Sequence, residues 1–247
     1  MTTSFYAPPS AFREPDYVEL PEEEAAHAVQ VLRKRPGDEI VVVDGDGGWY
    51  RVRLDQLDRR KAAGKILERR REVGEPVYEL SIGLSLLKSR HRFETFLEKA
   101  VELGVGEVLP LLTHRTEQRR FRVDRARKIL LAAMKQSGRS RLVRLAEPQP
   151  LADVLRDNSV APGSGQALTL IGHERIAPEH SLSLALAGQP SARTIRILIG
   201  PEGGFTEEEV AQARQAGYAP VSLGPRRLRA ETAALVVAST VMITRSC

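Results

Sequence analysis

Ile199-Gly200-Pro201-Glu202-Gly203-Gly204-Phe205, running into Thr206-Glu207-Glu208-Glu209, is the stretch on which the fold of this 247-residue chain turns. The run before it, Ile195 to Ile199, is short, apolar and β-branched, as a strand buried on both faces must be. Three glycines then let the backbone take positive φ and come close to a ligand. Thr206 and Glu209 have the spacing of a capping box, in which each side chain satisfies an orphan N–H of the other's end of the first helical turn. Strand, glycine loop and capped helix follow within a dozen residues, which is the grammar of an α/β sheet. The loop is not a P-loop, because no Gly-Lys-Ser/Thr occurs, and the dinucleotide fingerprint G-x-G-x-x-G is absent. A tight turn needs one glycine. Three around a carboxylate offer backbone N–H and C=O groups to a flat polar ring such as adenine.

Outward from this loop, Leu168 to Ile171 and Val221 to Leu223 read as further buried parallel strands. Leu223-Gly224-Pro225-Arg226-Arg227-Leu228-Arg229-Ala230-Glu231-Thr232-Ala233 then closes a strand with a Gly-Pro turn, presents three arginines and opens a helix near Glu231, whose charge suits a helix N-terminus. From Ala233 to Ile243 that helix is apolar nearly all round, so it is deeply buried or part of a subunit interface. Upstream, Leu80 to Leu87 is strand-like. Phe93, Phe96, Leu97, Ala100 and Val101 recur at helical spacing before Gly104, and Val108 to Leu112 is a buried strand. Asp124 is placed to cap a helix with Ala126, Ile129, Leu130, Ala133 and Met134 on its apolar face and Gly138 beyond its end. Lys135-Gln136-Ser137-Gly138-Arg139 at the end of this helix either touches a nucleotide or serves as a cap.

Residues up to about Glu72 read as a small β-rich unit with one short helix. Pro21 with Glu22, Glu23 and Glu24 forms a first helical turn, and the helix runs to about Leu32 before Pro36-Gly37 stops it. Glu39 to Val43 and the alternating Trp49 to Leu54 are strands joined by the turn Asp44-Gly45-Asp46-Gly47-Gly48. Asp58 to Glu72 is charged and reads as an edge strand leading to a linker at Gly74 and Pro76. The expectation is a small β-rich domain over 1–72 and an α/β domain over 76–247.

Composition narrows the function. No apolar run approaches the length of a membrane span, and Met1 to Phe12 lacks a cationic patch followed by an apolar stretch. Cys247 is the only cysteine, which leaves no disulfide framework or cysteine metal cluster within one chain and fits a reducing cytoplasm. The net charge is +5. Thr113 to Leu145 concentrates it, with 11 Lys or Arg against Glu117 and Asp124, which points to a polyanion such as RNA.

The chain resembles the ribosomal RNA uracil-N3 methyltransferase family (RsmE type) of the SPOUT superfamily. The carrying residues are Glu102-Leu103-Gly104-Val105, Gln136 to Arg139, Gly200 to Phe205 and Leu223 to Ala233, with His27, Val31-Leu32-Arg33 and Pro36-Gly37-Asp38 in the first domain. Lys135, Val143 and Ser4 depart from the family pattern, where an acid, a proline and an arginine are common. The resemblance implies a PUA-like β-barrel, a trefoil-knot α/β domain, a homodimer, S-adenosylmethionine as cofactor and N3 of a uridine in the decoding region of 16S rRNA as substrate. No metal is implied.

By the same resemblance, the cofactor falls to Ile171, Gly172, Ile199, Gly200, Pro201, Glu202, Gly203, Gly204, Leu223, Gly224, Leu228, Arg229, Glu231 and Thr232. RNA falls to His27, Arg33, Lys88, Arg115, Arg119, Arg120, Arg122, Gln136 and Arg139. The N3 imide is nucleophilic only after its proton leaves, so a cation, Arg229 or Arg139, is expected to hold the anion. Glu202 is either a proton acceptor or a brace for the glycine loop, and His27 either an RNA contact or a packing residue. Two other readings share these features: a SPOUT enzyme acting on tRNA or on ribose 2′-OH, and a non-catalytic RNA-binding ribosome assembly factor.

Overall fold

The structure is a computed structural model that describes residues 4–13, 15–157, 160 and 167–245. Cys247 therefore lies outside the described residues. Contacts divide the chain into two compact units, Met1–Glu75 with Leu131–Leu142, and Pro76–Leu130 with Val143–Cys247.

In the first unit the strands are β1 (Phe5–Tyr6), β2 (Phe12–Arg13), β3 (Tyr17–Leu20), β4 (Glu39–Val43), β5 (Gly48–Leu57) and β6 (Ala62–Arg71). They form one curled sheet in the order β1-β4-β5-β6-β3-β2. Only β1 and β4 pair in parallel. Alternation along β4, β5 and β6 turns Ile40, Val42, Val52, Leu54, Ala62 and Ile66 into one core. Fully burying each of these Val, Leu and Ile side chains stabilises the fold by about 1.5–3 kcal/mol. In the turn between β4 and β5, Asp44 Oδ1 accepts from the Asp46 and Gly48 N–H groups at 2.7 and 2.8 Å. Its other oxygen accepts from the Tyr50 hydroxyl at 3.0 Å, so this buried carboxylate is satisfied.

The expected edge strand over Asp58–Glu72 is corrected: β6 lies inside the sheet, flanked by β5 and β3. Its charge is misleading because the strand is two-faced along its length. Ala62 to Lys65 pair with β3, while the charged stretch Glu68 to Arg71 pairs with β5 alone.

Helix α1 (Glu22–Ala26) continues into a π-helical turn over His27–Val31. His27 meets the Phe5 ring edge-on, with centroids 6.0 Å apart. Within the same unit, the Ser4 N–H and hydroxyl both donate to the Lys135 carbonyl, at 3.1 and 3.0 Å. Lys135 Nζ pairs with Glu24 Oε1 at 2.6 Å. Two of the three positions that depart from the family pattern therefore touch each other, and Glu24 supplies the carboxylate.

In the second unit the strands are β7 (Glu79–Ser85), β8 (Glu107–Leu112), β9 (Arg144–Leu145), β10 (Gln149–Pro150), β11 (Ala167–Gly172), β12 (Thr194–Ile199) and β13 (Ala219–Val221). The sheet runs β10-β8-β7-β12-β11-β13, with β9 also on β8, and every pairing is parallel. The helices are α2 (Arg90–Glu102), α3 (Val123–Ser137, whose last turns belong to the first unit), α4 (Leu151–Arg156), α5 (Leu182–Gly188), α6 (Glu207–Gln215) and α7 (Ala230–Arg245). Leu80, Ile82, Leu84, Leu170, Ile195 and Ile197 are fully buried in the sheet. Among them sits Arg196, 2% exposed, its charge met by Asp157 Oδ2 at 2.9 Å and Glu107 Oε2 at 3.6 Å.

Three boundaries differ from expectation. The strand expected over Val221–Leu223 is Ala219–Val221, because its partner β11 ends at Gly172, opposite Val221. Leu223 is released into a loop. Asp124 lies inside the first turn of α3 instead of capping it, since the Ala126 N–H already donates to the Arg122 carbonyl at 3.0 Å. Strand β7 ends at Ser85, leaving Leu86 and Leu87 to lead into α2.

Helix α7 packs on α2, β7, β12 and α5. Ala230, Ala233, Ala234, Val237, Ala238 and Val241 are buried within this unit, and Ile243 is 64% exposed. Its small residues permit close approach to the sheet. Among the described residues no helix is long and apolar enough to cross a membrane.

Candidate functional site

Two loops at the carboxyl ends of parallel strands make the site, where open α/β sheets bind ligands. The first leaves β12. The Gly204 N–H closes a turn on the Pro201 carbonyl at 2.8 Å, and Gly204 takes φ +70°. Gly200 faces this turn so closely that a Cβ there would lie 3.0 Å from the Gly204 carbonyl carbon and the Phe205 nitrogen. No side chain fits without moving backbone.

Four anchors fix the loop. Thr206 Oγ1 accepts from the Glu209 N–H at 3.2 Å, and Glu209 Oε2 accepts from the Thr206 N–H at 2.8 Å, which is the expected capping box. Glu209 Oε1 also accepts from the His114 N–H at 2.8 Å, tying α6 to the loop after β8. Arg115 Nη1 donates to the Gly203 carbonyl and, at 3.4 Å, to that of Phe205. Glu202 Oε1 accepts from the Lys88 N–H at 3.2 Å. The loop after β8 is itself braced, with Thr113 N–H donating to Thr116 Oγ1 at 2.9 Å in a buried site. In the first turn of α6, N–H donation from Glu208's own backbone, then the Thr206 side chain, hold the Glu208 carboxyl below its ordinary range.

The second loop follows β13. The Gly224 N–H donates to Ser222 Oγ at 3.3 Å, and Gly224 takes φ +110°. Among the described residues, the N–H groups of Arg226, Arg227 and Leu228 donate to no protein acceptor. Unmet backbone donors at a cleft wall are available to a ligand. Arg229 immediately precedes α7; its exposed guanidinium makes no ion pair or hydrogen bond among the described residues.

Between the loops is a cleft of about 610 Å³. From the sequence-predicted set its lining brings together Arg115, Gly172, Ile199, Gly200, Pro201, Glu202, Gly204, Leu223, Gly224, Leu228 and Arg229. Ile171 lies buried under Gly172 in β11, and Gly203 sits against the Arg115 side chain, 3.2 Å from its Cδ if a Cβ is added. Glu231 is turned inward, with Arg92 3.7 Å from Oε1, and Thr232 is exposed on the next position of α7.

The cleft also takes His173, Arg175, Phe205 and Glu207, which sequence reasoning missed as site residues. His173 has a side chain 9% exposed and its Nε2 4.0 Å from Glu207, which pairs with Arg175 at 2.9 Å. His173 and Arg175 had only their position just after Gly172 as a signal and Glu207 its place in the first turn of α6, whereas Phe205 closes the glycine-loop motif.

The remaining predicted residues lie elsewhere. Arg139 belongs to the first unit, where its side chain is 5% exposed and its guanidinium is held by Glu75 at 2.7 Å. His27, Arg33 and Gln136 are also in the first unit. Lys88 pairs with Glu117 at 2.9 Å. Arg119, Arg120 and Arg122 are exposed and have no ion-pair partner among the described residues. No cluster of three or more His, Cys, Asp or Glu that could hold a metal occurs among the described residues.

Residues 74–242 match the family described as the RNA methyltransferase domain, and residues 20–67 match the RNA methyltransferase PUA domain. The ribosomal RNA small subunit methyltransferase E of Synechocystis is 33% identical over 84% of this chain, which spans 66% of that protein. The enzyme of the same name from Mycobacterium bovis is 32% identical over 91% of this chain and 85% of its own length. In structure, the chain is similar to the ribosomal RNA small subunit methyltransferase E from Neisseria gonorrhoeae bound to S-adenosyl methionine. That likeness has a TM-score of 0.84 at 30% identity, covering 98% of both chains.

Proposed function

Because this chain belongs to the ribosomal RNA small subunit methyltransferase E family, we propose that it transfers a methyl group from S-adenosylmethionine to N3 of a specific uridine in the decoding region of 16S rRNA. Its fold is that of the SPOUT methyltransferases, with an N-terminal PUA-like barrel. The observation that carries the reading is the cradle of Gly200 to Gly204 facing Leu223 to Arg229 across one cleft. Its size lies within the roughly 300–1,000 Å³ usual for a small-molecule site. The cradle fits the cofactor: a Cβ at Gly200 would crowd the backbone of Gly204 and Phe205, and three neighbouring N–H groups await an acceptor. We assign the gripping surfaces to Gly172, Gly200 to Gly204 and Leu223 to Leu228.

S-adenosylmethionine, when bound, supplies an electrophilic methyl on a sulfonium. The chain's own work is to place the uridine ring and hold the charge left on the base when its N3 proton departs. Arg229 suits that second task because its cation is uncommitted on the cleft wall, and a positioned cation at a developing anion lowers the barrier. Arg139 is committed to Glu75 and is read as a positioning residue. Glu202 is read as a brace, since one oxygen already holds the Lys88 N–H. The cation Arg115 holds the glycine loop through its carbonyls, and Arg119, Arg120 and Arg122 are left to meet phosphates. Domains over 1–72 and 76–247, a homodimer and a cytoplasmic location belong to the same reading.

The test is direct. Small ribosomal subunits or 16S rRNA lacking the modification, incubated with the protein and S-adenosylmethionine, are expected to gain one N3-methyluridine, mapped by mass spectrometry. A methyl on tRNA or on a ribose hydroxyl instead would overturn the substrate assignment. Gly200→Val is expected to weaken S-adenosylmethionine by about 5- to 150-fold by calorimetry, because overpacking here costs about 1–3 kcal/mol of backbone displacement. Unchanged affinity would remove the cradle from the cofactor site.

A further inference from the structure

A second hollow in the α/β unit, about 220 Å³, lies between the first turns of α2 and α3 and is separate from the cleft. Its floor is apolar: Leu87 is 2% exposed, Phe93 3% and Leu97 fully buried. Phe121 stands at the wall, half-buried, with its ring edge-on to Phe93 at 5.3 Å between centroids. The rim carries Arg90, Arg120 and Arg122, none within ion-pair distance of a carboxylate among the described residues. Nearby acids are already neutralised, Glu94 by a two-pronged contact with Arg125 and Glu117 by Lys88 at 2.9 Å.

A small apolar hollow with an aromatic wall and unpaired guanidinium groups at its mouth has a specific complement. A free protein partner would face three desolvated like charges, and a lipid chain would need a longer groove. A flat nucleobase with its attached phosphates satisfies both halves at once: the ring lies on the apolar floor and the phosphates meet the arginines. Gln118, at the edge, adds a carboxamide whose oxygen accepts the Arg120 N–H at 2.9 Å and whose amide hydrogens remain available to a base carbonyl.

We propose that this hollow, walled by Phe121 and rimmed by Arg90, Arg120 and Arg122, seats one unpaired nucleobase of the RNA strand, apart from the base that is methylated. Such a seat answers a physical requirement. Taking a base out of helical RNA costs a few kcal/mol and needs grip on the flanking strand, which phosphate contacts position without engaging any base. The proposal rests on the RNA-substrate reading but not on methyl transfer.

Its test uses the full chain and a labelled single-stranded RNA of about 12 nucleotides, within the range of single-strand binding sites, followed by fluorescence anisotropy. Phe121→Ala is expected to weaken binding roughly tenfold, the size of one lost base–aromatic stack, and Phe121→Trp to restore it. Because Phe121 also touches Phe93, a second arm leaves the protein unaltered and walks one abasic site along the RNA. One position is expected to lose about the same factor with the native chain and nothing further with Phe121→Ala. Equal affinity for all abasic RNAs, or losses that multiply, would overturn the seat. So would native-chain dimers that Phe121→Ala dissociates with RNA affinity unchanged, since the hollow would then hold a second copy. S-adenosylmethionine titrated into the same samples separates the readings: base-dependent RNA binding without cofactor binding would sink methyl transfer and leave the seat standing.

Discussion

Arg229→Ala is expected to slow methyl transfer by about 10²–10³-fold, the effect of deleting one preorganised group at a developing negative charge, while S-adenosylmethionine affinity and folding stay near those of the native chain. The structure explains the separation. Arg229 is exposed and touches no carboxylate among the described residues, so its removal orphans nothing and opens no cavity. It stands directly before the first turn of α7, on the wall of the cleft opposite the glycine loop. Arg229→Lys is expected to fall between, because an ammonium keeps the charge without the planar fork. Single-turnover methyl transfer at saturating cofactor, alongside calorimetry, reads both quantities. A variant with native rate and native cofactor affinity would take the anion away from Arg229.

The second large effect is on stability. Glu75 is 4% exposed in its side chain and serves three donors: the Arg139 guanidinium at 2.7 Å and the N–H groups of Ser140 and Arg141, each at 2.8 Å. It thereby clamps residues 139–141 beside 72–75 in the barrel unit, where the Arg141 guanidinium also pairs with Glu72. Glu75→Ala takes the carboxylate from a buried cation and the acceptor from two N–H groups, and breaking a buried pair in this way costs about 3–5 kcal/mol. Urea unfolding is the measurement. Removing both partners, as in Glu75→Leu with Arg139→Met, is expected to recover part of the loss, since the desolvated charge goes too while the Ser140 and Arg141 N–H groups still lack this acceptor. If Glu75→Ala unfolded at the native urea midpoint, the pair would be no more than a surface contact.

What could be read from the residues alone was whatever depends on neighbours in the chain. The capping box at Thr206 and Glu209, the glycine loop between strand and helix, and the strand Glu39–Val43 are local arrangements, fixed by φ preferences, side-chain branching and a three-residue reach. The RNA methyltransferase and cofactor expectations followed from motifs in order along the chain, and the relatives carry the same names. The misreadings were of the opposite kind. Charge made β6 look like an edge, yet its position depends on which strands arrive beside it, and β3 comes from far upstream. The end of β13 depends on where β11 stops.

By itself, then, the sequence determined the α/β character, the loop that holds the ligand, and the class of chemistry, because hydrogen-bond geometry and glycine sterics act over a few residues. Only the tertiary structure decided which arginines are spent and which are free. Arg115, Arg139 and Arg229 are indistinguishable as letters, but one grips the Gly203 carbonyl, one is buried against Glu75 and one stands unpaired at the cleft. A cation's role is set by the carboxylates and carbonyls within about 4 Å, since Coulomb attraction and desolvation both change steeply over that distance, and those neighbours come from segments up to 90 positions away.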